Sequence, residues 1–255
     1  MPTPFGDDEL VPISRPDGAI PGAPAPWASL PAARRAPLPL AHVLDALDRA
    51  GHRGPVPTWE PTPGERAFVP DGPAPPGEPF RSAVLVTLFE EAGETRVLLT
   101  RRSTALRSHR GQVSFPGGRI DPGEDAAAAA RREAFEEVGL PPGEVAVVGW
   151  LHPLFTISAG SFISPVVATL PGRPTLAVST AEVARAFDVA LVDLLADGVF
   201  HEERWTFPPG SRPQGRDGER AVWFFEVDGE TVWGATARVL VELLSLVLEL
   251  PFEHA

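Results

Sequence analysis

The chain has no cysteine among its 255 residues. Disulfides and thiol chemistry are therefore excluded, and nothing demands an oxidising compartment. Long apolar runs are also missing. The most apolar stretch, 239–250, is interrupted by Glu242 and Glu249 and is too short and too charged to span a bilayer. The first ten residues, MPTPFGDDEL, carry neither a basic segment nor an apolar one, so they do not read as a secretory signal. The expectation is a soluble, cytoplasmic protein with no membrane partner. Bases are scarce: 22 Lys and Arg face 34 Asp and Glu, a net charge of −12. Non-specific nucleic-acid binding needs a basic footprint and is disfavoured. No internal repeat is visible. Hydrophobic residues make up 43% of the chain, enough to build the core of one large domain or of a domain with an appendage.

Proline is unevenly spread. Residues 1–80 hold 19 of the 31 prolines, and proline removes an amide donor and blocks helix and sheet interiors. Residues 1–79 therefore read as a largely irregular, proline-rich extension. It carries one short helix near 40–50, where Leu40, Val43, Leu44 and Leu47 follow helical spacing and Gly51 ends the run. That helix is expected to pack on the domain at 80–255. There, 82–90 and 95–102 read as a β-hairpin about a turn at 91–94, and 112–115 as a short strand. Strands are also expected at 143–151, 162–170, 203–207 and 221–227. The spacing of Val183, Phe187, Leu191, Leu194 and Leu195 predicts a helix over 180–195. A last helix over 234–250 presents a wide apolar face to the core or to a second subunit. The pattern implies a sheet sandwiched by helices.

One more helix lies between the strands. Asp121 suits an N-cap, Pro122 the first helical position, and Glu124 stands at the capping-box spacing. Five alanines, 126–130, favour helix and Gly139 stops it. On this helix Glu133, Glu136 and Glu137 share one face, being three and four residues apart. Three adjacent carboxylates repel unless something cationic lies among them. Arg132 stands one residue off the face, whereas Mg²⁺ or Mn²⁺ takes oxygen ligands readily. By itself the triplet reads as a solvated acidic face or as a cation site.

The whole stretch reads G-x5-E-x7-R-E-U-x-E-E-x-G-U, with U aliphatic: Gly118, Glu124, Arg132, Glu133, Glu136, Glu137 and Gly139 fill every fixed position. It resembles the signature of the Nudix hydrolases, which cleave a nucleoside diphosphate linked to another group. Ala134 is smaller than the usual occupant of its position. The resemblance implies an α/β fold, an α/β/α sandwich with a mixed central sheet. It also implies Mg²⁺ or Mn²⁺ held by Glu133 and Glu137, with Glu136 completing the cluster or deprotonating water. A structural ion pair between Glu124 and Arg132 is implied too, with Gly117 and Gly118 admitting the ligand.

The residues upstream, from Leu98 to Gly118, are similar to the second motif of the coenzyme A diphosphatase branch. Arg107 and His109 fall on motif positions and are the implied substrate-binding residues, supplying positive charge for a 3′-phosphorylated ADP moiety. Arg102 and Arg110 add positive charge directly before the helix and read at least equally as an arginine-rich hairpin edge that pairs with the acidic surface. Gln112 stands where the pattern carries Glu. Residues 232–237, Val-Trp-Gly-Ala-Thr-Ala, resemble a further run of that branch. The implied reaction is metal-dependent hydrolysis of coenzyme A or acyl-CoA to 3′,5′-ADP and the (acyl-)4′-phosphopantetheine. The alternatives are a hydrolase of ADP-ribose, NADH or (d)NTPs, and a non-catalytic nucleotide-sensing domain. Glu182, Glu202 and Glu203 are candidate general bases outside the helix. His42, His52, His152, His201 and His254 share no ligand spacing and receive no chemistry. Homodimers occur in the family, so a homodimer is an allowed assembly.

Overall fold

A computed structural model of the protein describes residues 11–59, 80–106, 109–156, 161–207 and 218–252. Its centre is an eight-stranded mixed sheet. Strands β2 (Phe80–Glu91) and β3 (Glu94–Arg102) form the expected hairpin about Ala92-Gly93. β2 also pairs in parallel with β8 (Ser161–Thr169) and antiparallel with β5 (Gly117–Arg119). β4 (Val113–Ser114) and β9 (Val183–Ala190) pair with β3, and β6 (Ala146–Trp150) and β7 (Leu154–Thr156) pair with β8.

Alternation along β2 assigns the two faces of the sheet. Ala83, Leu85 and Phe89 point to one side, where helix α3 (Ala126–Val138) lays Ala129, Ala130, Ala134 and Val138 against them. Small alanines let this helix approach the sheet closely. Val86 and Leu88 point to the other side, into a larger core with α2 (Leu40–Arg49) and α5 (Gly234–Val247). Helix, mixed sheet, helices: this is the α/β/α sandwich.

A second, four-stranded sheet runs β1 (Ile20–Pro21), β10 (Phe200–Phe207), β11 (Gly218–Val227), β12 (Glu230–Trp233). Its Phe200, Phe225 and Val232 share the larger core. The proline-rich extension enters that core as well. Trp27 and Leu38 are each 1% exposed, and α2 follows a single helical turn, α1 (Ala32–Arg35). The His42 ring bonds the Val247 carbonyl on α5 at 3.1 Å, so α2 docks on the domain as its apolar stripe predicts.

The helix expected over 180–195 is corrected. Residues 183–190 form strand β9, and the one helical turn there, α4, spans only Leu191–Leu194. A spacing of four residues fits both the 3.6 period of a helix and two periods of a strand. Val183 and Phe187 therefore satisfy either reading. The deciding residue is Val189, buried two positions after Phe187, with the edge of β3 available for pairing. Among the described residues, no helix is long and apolar enough to cross a membrane.

Candidate active site

Helix α3 presents the glutamates. Its N-cap is Asp125, whose Oδ1 accepts from the Ala128 amide at 2.7 Å. Asp121 instead opens a preceding turn, closed by the Glu124 amide on its carbonyl at 3.0 Å and by the Glu124 carboxylate on its amide at 3.0 Å. The capping-box contact thus forms in a turn, and Pro122 lies outside the helix. Gly139 ends α3 at φ 72°, donating to the carbonyls of Ala134 and Phe135.

Glu137 is 3% exposed. Its Oε2 accepts from the Gly117 amide at 3.1 Å, and its Oε1 lies 3.5 Å from Arg102 Nη1. Burial pushes its carboxyl up to about 7; the Gly117 amide and Arg102 oppose the rise, while Glu133 and Glu182 add to it. Burial also raises Glu133, against the pull of Arg132 and helped by Glu136 and Glu182. Gly118 lies against Glu133: a Cβ built there would fall 2.4 Å from the carboxylate. Two crowded carboxylates whose proton affinity burial raises, beside a side-chain-free backbone, suit a hard cation, which would satisfy the negative charge that burial disfavours.

Arg132 gathers the remaining charge. It contacts Glu124 at 2.9 and 3.0 Å, Glu133 at 2.9 Å, Glu136 at 3.3 Å and the Arg119 carbonyl at 2.9 Å. One arginine thus reaches two of the three face carboxylates, further than its position on the helix suggests. Glu136 is exposed, at the solvent rim, while Glu133 and Glu137 point inward.

A cavity of about 560 Å³ opens beside these groups, floored by Gly117 and Gly118. Arg102, Arg119, His109 and Gln112 give its lining polar groups, and Val84, Phe115, Leu154, Ile163, Trp233 and Val239 apolar ones. The His109 ring bonds the Gln112 side chain at 2.9 Å. Arg107 lies outside the described residues. Arg110 turns back to the Thr104 carbonyl at 2.6 Å. The Trp233–Thr236 segment, read from sequence only as a resemblance, also lines the cavity.

The sequence leaves Arg102 between a substrate-facing and a hairpin-edge reading; its Nε is buried with no hydrogen-bond partner among the described residues. Of the three outlying glutamates, Glu182 is electrostatically felt by both Glu133 and Glu137, and its carbonyl accepts from Ser103 just after Arg102. Glu202 and Glu203 serve the second sheet instead. Glu202 accepts from the Ala23 amide and the Trp223 indole, and Glu203 from Arg15 and the Trp205 indole. They anchor the extension and are removed from the list of bases.

Comparison with known proteins gives the family. The NUDIX domain model matches residues 79–207. A Photorhabdus laumondii protein named Uncharacterized Nudix hydrolase NudL is 39% identical over 167 residues, covering 65% of this chain and 84% of that one. Its Escherichia coli K12 namesake is 37% identical over 164 residues, covering 64% and 80%. Among solved structures, a binary complex of a C. elegans Ap4A hydrolase is similar at 26% identity and a TM-score of 0.38, covering 45% of this chain and 82% of that one. A MutT/nudix family protein from Enterococcus faecalis follows at 15% identity and 0.44, covering 86% and 72%. With its glutamate helix, mixed sheet and family match over half its length, the chain belongs to the Nudix hydrolases, enzymes of diphosphate bonds in nucleotide derivatives that generally use a divalent cation.

Proposed function

We propose that this Nudix hydrolase cleaves the diphosphate of coenzyme A or acyl-CoA, releasing 3′,5′-ADP and the (acyl-)4′-phosphopantetheine. The observation that carries the reading is the mixed lining of the cavity. A diphosphate that joins a phosphorylated nucleoside to a long, weakly polar arm matches a lining that combines arginines with apolar side chains. The upstream motif from Leu98 to Gly118, which lines much of this cavity, supports the same substrate.

Glu133 and Glu137 would hold Mg²⁺ or Mn²⁺, with Glu136 closing the cluster from the rim. When bound, such an ion polarises phosphoryl oxygens and makes water a better nucleophile at neutral pH. The protein's own groups do the rest. The Gly117 amide holds Glu137 in place, and Arg132 holds Glu133 while tying the turn at Glu124 to the helix. Arg102, Arg107 and His109 meet the phosphates. Glu182 is the candidate to accept a proton from the attacking water.

The test is to incubate the protein with coenzyme A and Mg²⁺ or Mn²⁺, with acetyl-CoA, ADP-ribose, NADH and dGTP in parallel, and to identify products by mass spectrometry. Release of 4′-phosphopantetheine and 3′,5′-ADP, abolished by EDTA, is expected. Turnover of ADP-ribose or NADH with coenzyme A left intact would discard the coenzyme A assignment. Binding of nucleotides without any turnover would discard hydrolysis.

A further inference from the structure

A second cavity, of about 450 Å³, is built in part by the proline-rich extension. Residues 11–15 line it, together with the loop 109–112 and with Glu230, Thr231 and Trp233 of β12. His109, Gln112 and Trp233 also line the cavity that holds Gly117 and Gly118, so the two chambers share these three side chains as a boundary.

The extension is held there from two directions. Gly111 takes φ 67°, and a Cβ built on it would fall 2.8 Å from Val11 Cγ2, so the missing side chain lets the extension lie directly on the loop. Arg15 Nε donates to both carboxylate oxygens of Glu203 on β10, at 2.8 and 3.1 Å. The Arg15 guanidinium also stands over the Phe224 ring, 5.2 Å from its centroid. A few residues further on, β1 pairs with the same strand β10.

The second chamber favours an anion, in a chain whose net charge is −12. Arg15 and Arg110 line it. Among the described residues its only acidic lining group is Glu230, which is 3% exposed and whose Oε1 is met by Arg101 at 3.2 Å and Arg185 at 2.9 Å. A carboxylate neutralised twice leaves the lining arginines free to attract phosphate, which arginine can meet with two hydrogen bonds at once. Ile13 and Trp233 add apolar surface for a base. The phosphate in question is not the scissile diphosphate. That group belongs beside the glutamate helix, where Gly117 and Gly118 line the first chamber, whereas Arg15 lines the second chamber and not the first. A ligand that spans both carries a further phosphate on its nucleoside.

We infer that residues 11–15 form a wall of the substrate site, and that Arg15 binds the 3′-phosphate of the adenosine and so selects a 3′-phosphorylated nucleotide over its unphosphorylated counterpart. The inference rests on the coenzyme A reading and deepens it. It makes the extension a specificity element, although residues 11–15 lie outside the region 79–207 matched by the family model.

The experiment compares steady-state hydrolysis of coenzyme A and of 3′-dephospho-coenzyme A, with Mg²⁺, by the full-length chain and its Arg15→Gln and Val11→Glu variants. Each variant is checked by near-UV circular dichroism. Arg15→Gln should raise KM for coenzyme A roughly tenfold, while kcat, and KM for the dephosphorylated substrate, stay within about twofold. Val11 is 45% exposed, so Val11→Glu brings a negative charge to the wall without disturbing a core. It should raise KM with the same selectivity. An equal rise for both substrates would mark Arg15 as a merely structural partner of Glu203 and overturn the inference, as would an unchanged KM for coenzyme A in both folded variants. If the unaltered chain leaves coenzyme A intact, the coenzyme A reading fails and takes this inference with it. Hydrolysis of coenzyme A that ignores both substitutions sinks the inference alone.

Discussion

Burying Glu137 beside Glu133 costs the metal-free protein stability at neutral pH. The fold raises the Glu137 carboxyl from 4.5 to about 7, so the native state holds a proton that the unfolded chain has released. Stability from this group is complete below pH 4.5 and is lost as pH rises through 7. Chelator-treated protein should therefore melt lower at pH 8 than at pH 5.5, and Glu137→Gln should flatten that difference. A slope unchanged by the substitution would place the titration elsewhere. The same substitution, with cation and substrate present, should cut turnover by two to three orders of magnitude, on the order of 3–4 kcal/mol in the barrier. The far-UV spectrum should be retained. What could be read at this scale was the local part: helical spacing puts Glu133, Glu136 and Glu137 on one face, and the resemblance to the Nudix signature singles them out together with Gly118. Arg102 was visible as a charge, but its buried, unpartnered Nε depends on strands that meet only in three dimensions.

At the scale of elements, the start of α3 separates local from positional reasoning. Both Asp121 and Asp125 are good capping residues, and the Pro122 spacing favours the first. The structure uses the second, because Gly123 takes φ 90° and turns the chain before the helix begins. Asp125→Ala should cost about 1 kcal/mol of stability, measured by urea denaturation, whereas Asp121→Ala should stay within about 0.5 kcal/mol. The reverse order would restore Asp121 as the cap. Strand β9 teaches a related lesson. Its apolar spacing fits two periods, and what settles it is the exposed edge of β3, which no window of 16 residues contains. The hairpin β2–β3 was legible from two β-rich runs about a turn, the pair β10–β11 from strand-like runs flanking a polar loop, and the helix α2 from its helical spacing.

For the whole molecule, the extension is the part that composition describes least well. High proline content predicts irregular backbone, and most of residues 11–39 is irregular, but irregular backbone can still be packed. Trp27 lies edge-on to Phe200 at 5.3 Å and stacks near Phe225 at 6.1 Å, bridging the second sheet to the main core. Trp27→Ala should destabilise the protein by about 3–5 kcal/mol, read as a shift of the single urea transition. Little or no change would mean that the extension rides on the domain without supporting it. The α/β/α sandwich itself followed from the family signature, because periodicity names elements and leaves their order in a sheet open.

The two residues of β1 have one more consequence. Ile20 and Pro21 lie along β10, and the Gly22 amide donates to the Glu202 carbonyl at 2.7 Å. Among the described residues the second sheet ends at this short strand, and Pro21 has no amide hydrogen with which to recruit another. The extension is thus a selvedge: it finishes an edge that, left raw, would invite a neighbouring molecule to continue the weave.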